Sequence, residues 1–118
     1  MRKIVIRIVI MFFACSAFAM DMAEQQKINA LLDDLTVSNI TFIIDSKEHD
    51  GKFASRFLEE KLAKTPNIET AEDFVIEVAS KSDKKKPYII KEKDGTKLKA
   101  DKWFHNKLEE ITDRQKDE

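Results

Sequence analysis

Hydrolytic chemistry is the first possibility to consider, because the sequence contains two closely spaced serines and a histidine. Ser80 or Ser82 would be the nucleophile of a small hydrolase, and His49 would be its base. A serine nucleophile needs a base within hydrogen-bond reach and an oxyanion hole. No G-x-S-x-G elbow is present in the sequence. The simpler interpretation of Ser80 is that it ends a helix and bonds a free carbonyl. We therefore predict that the protein is not an enzyme, and we keep the Ser/His hydrolase as an alternative.

A divalent metal site is the second possibility, because His49 lies among acidic residues in the segment DSKEHDG. Imidazole and carboxylate groups can together hold such an ion loosely. No second histidine lies at ligand spacing from His49. The chain also has only two glycines, too few for a phosphate-cradling loop. We predict a solvated turn at this segment, with no metal and no cofactor.

Four lysines, Lys81, Lys84, Lys85 and Lys86, form the one basic cluster of the sequence. Such a cluster can contact anionic lipid headgroups or an acidic partner, but a solvated loop is the better interpretation. The consecutive run of lysines falls short of the ~4–8 basic residues expected of a lipid-binding cluster. We predict no sedimentation of the protein with anionic vesicles at physiological ionic strength.

Tyr88 and Trp103 are aromatic residues that could belong either to the core or to a binding surface, depending on whether they are buried or exposed. Exposed together, they would mark a binding patch, because aromatic residues are enriched at the centres of interfaces. We expect burial instead. Together with His49, Ser80 and Ser82 they are the candidate binding residues, and we assign no catalytic residue.

The first 19 residues have the pattern of a signal peptide. Their only charged residues are Arg2, Lys3 and Arg7, and an apolar run follows that ends in Ala17-Phe18-Ala19. Small residues at Ala17 and Ala19 are typical of a signal-peptidase site. The apolar run is shorter than the ~20 residues that span a bilayer. We predict cleavage after Ala19. An uncleaved anchor and lipidation at Cys15, in the segment FFAC, are the alternatives.

Removal of the signal peptide makes the remaining chain acidic and free of cysteine. The whole chain has a net charge of −1, and the signal peptide contains three of its positive charges, so residues 20–118 have a net charge near −4. The single cysteine is also lost, so one packed core must stabilise the domain without disulfides. The acidity argues against nucleic acid as a partner.

Apolar spacing and short β-prone runs divide residues 20–118 into helices and strands. The first half is predicted as a helix at 24–37, a strand at 40–44 buried on both faces, a polar turn at 45–51 and a helix at 51–64. The second half is predicted as a helix from Thr70, a strand at 88–90, a weaker strand at 96–99, a helix at 102–112 and a frayed tail.

Local signals mark the ends of these elements. Asp50 and Asp101 are placed to cap the helices that follow them, and Thr70 with Asp73 has the spacing of a capping box. Asp94-Gly95 is a strong hairpin signal between the last two strands. No repeat or linker is present. We predict one α+β domain over residues 20–118, with the element order α-β-α-α-β-(β)-α and about four helices packed on a minimal two- or three-stranded sheet.

A set of short motifs occurs in order along the predicted domain. The motifs are Ser38-x-x-x-Phe42-Ile43, Lys47-Glu48-His49-Asp50, Thr70-Ala71-Glu72-x-Phe74, Ala79-Ser80-x-Ser82, Pro87-Tyr88 and Trp103. This combination resembles an uncharacterised family of small exported bacterial proteins, domain of unknown function 5329. The resemblance covers nearly all of residues 20–118 and implies no activity. The family usually shows Arg-Asn-Gly after Phe-Ile, whereas this chain has Ile44-Asp45-Ser46. A contact made by that arginine in relatives would be missing here.

These observations favour an exported, periplasmic or secreted, binding domain or envelope accessory protein. Its partner would be an unknown envelope protein or a small ligand, with no nucleic acid, and with membrane contact only through the signal peptide. The alternatives are the Ser/His hydrolase and a lipid-anchored envelope protein attached through Cys15. The oligomeric state stays open.

Overall fold

The computed structural model describes residues 20–116, in which four helices cover a four-stranded sheet. The predicted signal peptide, with Ala17, Ala19 and Cys15, lies outside the described residues. The elements, in chain order, are α1 (Met22–Val37), β1 (Thr41–Ile44), β2 (Lys47–Asp50), α2 (Gly51–Lys64), α3 (Ala71–Asp73), a π-helix π1 (Phe74–Ala79) continuous with α3, β3 (Ile89–Lys91), β4 (Lys97–Lys99) and α4 (Ala100–Lys116).

The sheet is antiparallel throughout, with the strand order β2-β1-β3-β4. Phe42 of β1 pairs with Ile90 of β3, and both side chains are fully buried beneath the helices. Ile43 pairs with Ile89 on the opposite face, where both are only half-buried. The α+β class and the four helices are as predicted, and the sheet has one strand more than the largest predicted number.

The additional strand is β2, which the sequence analysis treated as a polar turn. Asp45 and Ser46 alone form the turn, with φ values of +54° and +71°, the left-handed conformation that two-residue hairpins require. Asn-Gly is the usual sequence for such a turn, and the family pattern has Asn-Gly at these two positions. Because this chain has Asp-Ser at these positions, its sequence lacks the Asn-Gly signal of a hairpin turn. The predicted burial of β1 on both faces is also wrong, because only Phe42 of this strand is buried.

Helix α2 begins and ends as predicted. The Asp50 carboxylate accepts a hydrogen bond from the Phe53 N–H at 2.8 Å, which satisfies one free donor of the first turn. Gly51 packs directly against the Leu35 carbonyl of α1, where a Cβ would collide with the backbone. The close approach of α1 and α2 therefore requires glycine at this position.

The segment after Thr70 confirms the predicted capping box, but its second half is a π-helix. The Thr70 hydroxyl accepts from the Asp73 N–H at 3.0 Å, and the Asp73 carboxylate accepts from the Thr70 N–H at 3.3 Å. The π-helix turns more widely than an α-helix, so residues four and five apart lie on one face. The stripe of Phe74, Val75, Val78 and Ala79 is fully buried.

The C-terminal half forms a hairpin that runs directly into α4. Gly95, with φ +94°, is part of the turn between β3 and β4, which confirms the Asp94-Gly95 signal. Helix α4 starts at Ala100, whose N–H donates to the Tyr88 carbonyl at 2.9 Å. Asp101 therefore lies in the first turn of the helix instead of capping it. The helix also continues to Lys116, so the predicted frayed tail is helical in the described residues.

One core lies between the sheet and the helices. Phe74 of π1 meets Phe104 of α4 edge to face at 6.2 Å between ring centroids, and both side chains are fully buried. No helix within residues 20–116 is long and apolar enough to cross a membrane.

Candidate functional site

Residues 80–87, here called the lysine loop, connect π1 to β3 in a defined conformation. Lys81 and Pro87 form an isolated antiparallel bridge at the base of the loop. The Ser82 N–H donates to the Lys86 carbonyl at 2.9 Å, and the Lys85 N–H donates to the Ser82 carbonyl at 2.8 Å. Lys85 is left-handed, with φ +64°. These hydrogen bonds fix the loop backbone from which the exposed lysine side chains extend.

A cleft of about 400 Å³ separates the lysine loop from α2 and is here called the α2–loop cleft. Its apolar lining comes from Ile44 at the end of β1, Phe57 of α2 and Tyr88. The charged and polar residues that line it are Asp45, Glu60, Lys61, Lys64, Ser82, Asp83, Lys84 and Lys86. The cleft thus combines an apolar surface with a charged rim in which lysines outnumber acidic residues.

Lys61 and Tyr88 form a polar pair in this cleft. The Lys61 Nζ donates to the Tyr88 hydroxyl at 3.0 Å and also to the Lys81 carbonyl. The same ammonium lies 4.8 Å from the centroid of the Tyr88 ring, within the range of a cation–π interaction. Burial lowers the pKa of Lys61 and raises the pKa of Tyr88 to about 12.

This pair gives the α2–loop cleft its chemical character. Titratable groups with perturbed pKa values in a cleft are typical of functional sites. Between them, Lys61 and Tyr88 provide donors beside an apolar wall, the combination found in small-molecule sites. Lys61 is not among the candidate residues chosen from the sequence. A lysine on the same face as Phe57 and Leu58 is the signal that would have identified it.

A second concavity, of about 370 Å³, lies on the other side of the lysine loop and is here called the loop–α4 groove. It is lined by Ile76, Ser80, Lys81, Lys85, Pro87, Lys99, Asp101 and His105. The His105 Nε2 lies 2.8 Å from a Glu72 carboxylate oxygen. This contact replaces the i, i+4 pair with Glu109 that the helical spacing suggests.

The two candidate serines bond with the backbone instead of with histidine. The Ser80 hydroxyl donates to the Ile76 carbonyl at 2.7 Å, as expected for a serine that ends a helix. The Ser82 hydroxyl accepts from the Lys86 N–H at 3.2 Å. His49 is stacked on Phe53, with ring centroids 4.1 Å apart. Among residues 20–116, His49 therefore forms no hydrogen bond with either serine.

Ser82 and Lys85 have the S-x-x-K spacing of some serine acyltransferases. The Lys85 backbone is held in a left-handed turn, and the Ser82 hydroxyl is engaged by the loop backbone. The spacing occurs in a loop, and the described contacts give the Ser82 hydroxyl no general base.

Tyr88 and Trp103 are both buried, at 2% and 4% exposure, as expected. They occupy different parts of the core. Tyr88 contacts Phe42 at 5.2 Å between ring centroids, whereas Trp103 contacts Phe104 at 5.0 Å. They therefore form no joint exposed patch, and Tyr88 lines the α2–loop cleft.

The acidic residues around His49 are committed to separate contacts. Asp45 pairs with Lys86 at 3.5 Å, and Glu48 pairs with Lys91 at 3.2 Å. Asp50 caps α2. In the described part of the chain, no group of three or more histidine, cysteine, aspartate and glutamate residues is arranged to hold a metal ion.

Comparison with known proteins identifies the family. Residues 22–112 match the profile of DUF5329, a family of unknown function. The chain belongs to DUF5329. No curated protein and no solved structure matches it. Ile44, where the resemblance described above implies an arginine, lines the α2–loop cleft. An arginine at this position would add a positive charge to the cleft wall.

Proposed function

We propose that this DUF5329 protein is an exported binding domain that holds a small organic acid in the α2–loop cleft. One observation carries the proposal. The Lys61 ammonium and the Tyr88 hydroxyl meet in a cleft with an apolar wall. Such an arrangement suits a ligand that has an apolar body and one acidic group.

The charges of the cleft define the ligand class more narrowly. Lys61, Lys64 and Lys84 favour a negatively charged ligand. Glu60 and Asp83 at the same site would repel a ligand with several negative charges. A monoanion such as an aromatic or aliphatic carboxylate fits this balance better than a polyanion. Ile44 and Phe57 would contact its apolar part.

Export to the periplasm is the cellular part of the proposal. It is supported by the basic start of the chain, the short apolar run and the small residues Ala17 and Ala19. An envelope accessory protein that binds another protein, and a lipid anchor at Cys15, are the alternatives on this point. A Ser/His hydrolase has less support, because Ser80 and Ser82 bond with backbone atoms.

The binding proposal can be tested by titrating isotope-labelled protein (residues 20–118) with benzoate and following NMR chemical shifts. Benzoate has one ring and one carboxylate, so it probes both parts of the cleft. We expect the largest shifts at Phe57, Ser82 and Tyr88. Loss of a hydrogen bond to a charged group costs ~1.5–3 kcal/mol, so Lys61→Met should weaken binding about tenfold or more.

Two further variants make the result specific. Lys52→Met removes an exposed lysine from the same helix and should leave benzoate affinity unchanged. Ile44→Arg restores the residue of the family pattern and should strengthen binding. Shifts that are absent at millimolar benzoate in both the unmodified protein and Ile44→Arg would refute an acid-binding cleft.

A further inference from the structure

The loop–α4 groove collects positive charge from parts of the chain that are distant in sequence. Lys81 and Lys85 come from the lysine loop, and Lys99 comes from the end of β4. Asp101 is the one acidic residue in the lining. The groove therefore has an excess of positive charge in a domain whose net charge is negative.

The lysine–carboxylate ion pairs of the described residues involve lysines other than the three of this groove. Lys27, Lys86, Lys91 and Lys107 each lie within 4.0 Å of a carboxylate oxygen. Within residues 20–116, Lys81, Lys85 and Lys99 form no such ion pair. The Glu72 carboxylate contacts His105, and Asp101 is the one carboxylate in the groove lining.

The backbone that presents these lysines is fixed. Lys85 is held in a left-handed conformation by the hydrogen bond from its N–H to the Ser82 carbonyl. This conformation is unfavourable for residues other than glycine, and such strain is concentrated at functional sites. Lys99 is held by its pairing with Ile89, and the next residue, Ala100, donates to the Tyr88 carbonyl.

We propose that the loop–α4 groove is a binding site for a phosphate group. Three unpaired ammonium groups match the multiple charge of a phosphate better than the single charge of a carboxylate. The groove has no aromatic wall, and Ile76 and Pro87 are its apolar residues, so the charged group would supply most of the affinity. The site shares no lining residue with the α2–loop cleft, and the two proposals can fail separately.

The test is a titration of labelled protein with pyrophosphate, again read by NMR chemical shifts. We expect the largest shifts at Lys81, Lys85 and Lys99, with binding that weakens as salt is added. The double variant Lys85→Ser/Lys99→Ser should bind at least tenfold more weakly. Both side chains are exposed, so the variant is expected to fold, which unchanged backbone shifts elsewhere would verify.

A control with the same net charge distinguishes a site from general attraction. Lys93→Ser/Lys102→Ser removes two exposed lysines that lie outside the groove and should bind pyrophosphate like the unmodified protein. Equal weakening in the two double variants would overturn the proposal, and so would an absence of groove shifts at low salt.

Phosphate chemistry can belong to a soluble compound or to a lipid headgroup. Sedimentation with phosphatidylglycerol vesicles separates the two sources. We expect pyrophosphate binding without sedimentation at physiological ionic strength, because the acidic remainder of the domain is repelled by an anionic surface. Sedimentation that is lost in Lys85→Ser/Lys99→Ser would support the same groove with a lipid phosphate as its ligand.

Discussion

Tyr88 illustrates how a single side chain belongs to both the core and the cleft. Its ring packs against Phe42 and Phe57, at 5.2 and 6.1 Å between centroids. Its hydroxyl accepts from Lys61. Buried tyrosines usually find such a polar partner. Here the partner is Lys61, and both residues line the cleft.

The ionisation of Tyr88 provides a direct test of this environment. Burial raises its pKa to about 12 from an ordinary value of 10.0. Because the folded state holds the neutral phenol more strongly than the unfolded state does, the stabilisation is complete below pH ~10. It is lost as the pH rises towards 12. Tyr88 is the one tyrosine of the sequence, so ultraviolet phenolate absorbance reports it alone.

We expect a phenolate midpoint near pH 12 in the folded protein. Tyr88→Phe should show a smaller loss of the free energy of unfolding between pH ~10 and 12 than the unmodified protein does. A midpoint close to 10, or identical pH dependence in the two proteins, would show that the hydroxyl is solvated.

At the scale of elements, short helices and hairpins depend on single hydrogen bonds. Helix α3 has only three residues before π1 begins, so its first turn needs partners for nearly all its free donors. Thr70 and Asp73 supply two of these contacts. Glu24 of α1 supplies another, accepting from the Ala71 N–H at 2.8 Å. This bond joins the start of α1 to the start of α3.

We expect Glu24→Ala to lower the free energy of unfolding by ~1.5–3 kcal/mol, the range for a hydrogen bond to a charged group. The Ala71 N–H bond, followed by the Lys27 bond, lowers the pKa of Glu24. The carboxylate therefore stabilises the fold at neutral pH, and its contribution is lost as the pH falls through that lowered pKa.

Chemical denaturation at pH 7 and at acidic pH measures this effect. Glu59→Ala, at an exposed position of α2, is the control and should change stability little. A loss in Glu24→Ala that is equally large at both pH values would contradict a role for the ionised carboxylate.

The β1–β2 hairpin has a turn that its residue types do not favour. Ser46, at φ +71°, bears the ~1–2 kcal/mol cost of a left-handed residue with a side chain. Glycine avoids this cost but loses ~0.5–1 kcal/mol through its greater freedom in the unfolded chain. Ser46→Gly should therefore stabilise the protein by roughly 0.5–1 kcal/mol.

Thermal unfolding distinguishes this prediction from a general effect of glycine. Ser55→Gly, within α2, should lower the melting temperature because glycine is a poor helix former. Ser46→Gly should raise it. A decrease in both variants would mean that the Ser46 turn is not strained in solution.

At the scale of the whole molecule, charge is distributed unevenly. Residues 20–118 have a net negative charge, yet seven lysines line the two concavities on either side of the lysine loop. The lysine loop connects π1 to β3 and lines both concavities. One short segment thereby serves both proposed sites.

The proposed export also concerns the whole molecule. We expect mass spectrometry of the protein from a cell-envelope fraction to show an N-terminus at Met20, because Ala17 and Ala19 form the predicted cleavage site. The comparison sample is Ala19→Arg, in which processing at that position should stop. A lipid-modified N-terminus at Cys15 would contradict cleavage after Ala19 and would support the lipoprotein alternative.

The sequence by itself determined the features that depend on neighbouring residues. The Asp50 cap, the Thr70–Asp73 capping box and the Asp94-Gly95 turn are each completed within four residues, so residue types at fixed spacing were sufficient to predict them. Strand β2 was missed because its turn uses Asp45-Ser46, and the start of α4 was misplaced because a bond to Tyr88 sets it.

Tertiary structure alone decided the candidate sites. Lys61 bonds with Tyr88, which lies 27 positions further along the sequence. Lys85 and Lys99 line one groove although β3 and the turn after it lie between them in the sequence. Caps and turns are local because a backbone donor is satisfied within one turn of chain. The meeting of distant side chains depends instead on how the helices pack against the sheet, and no short-range pattern in the sequence contains that information.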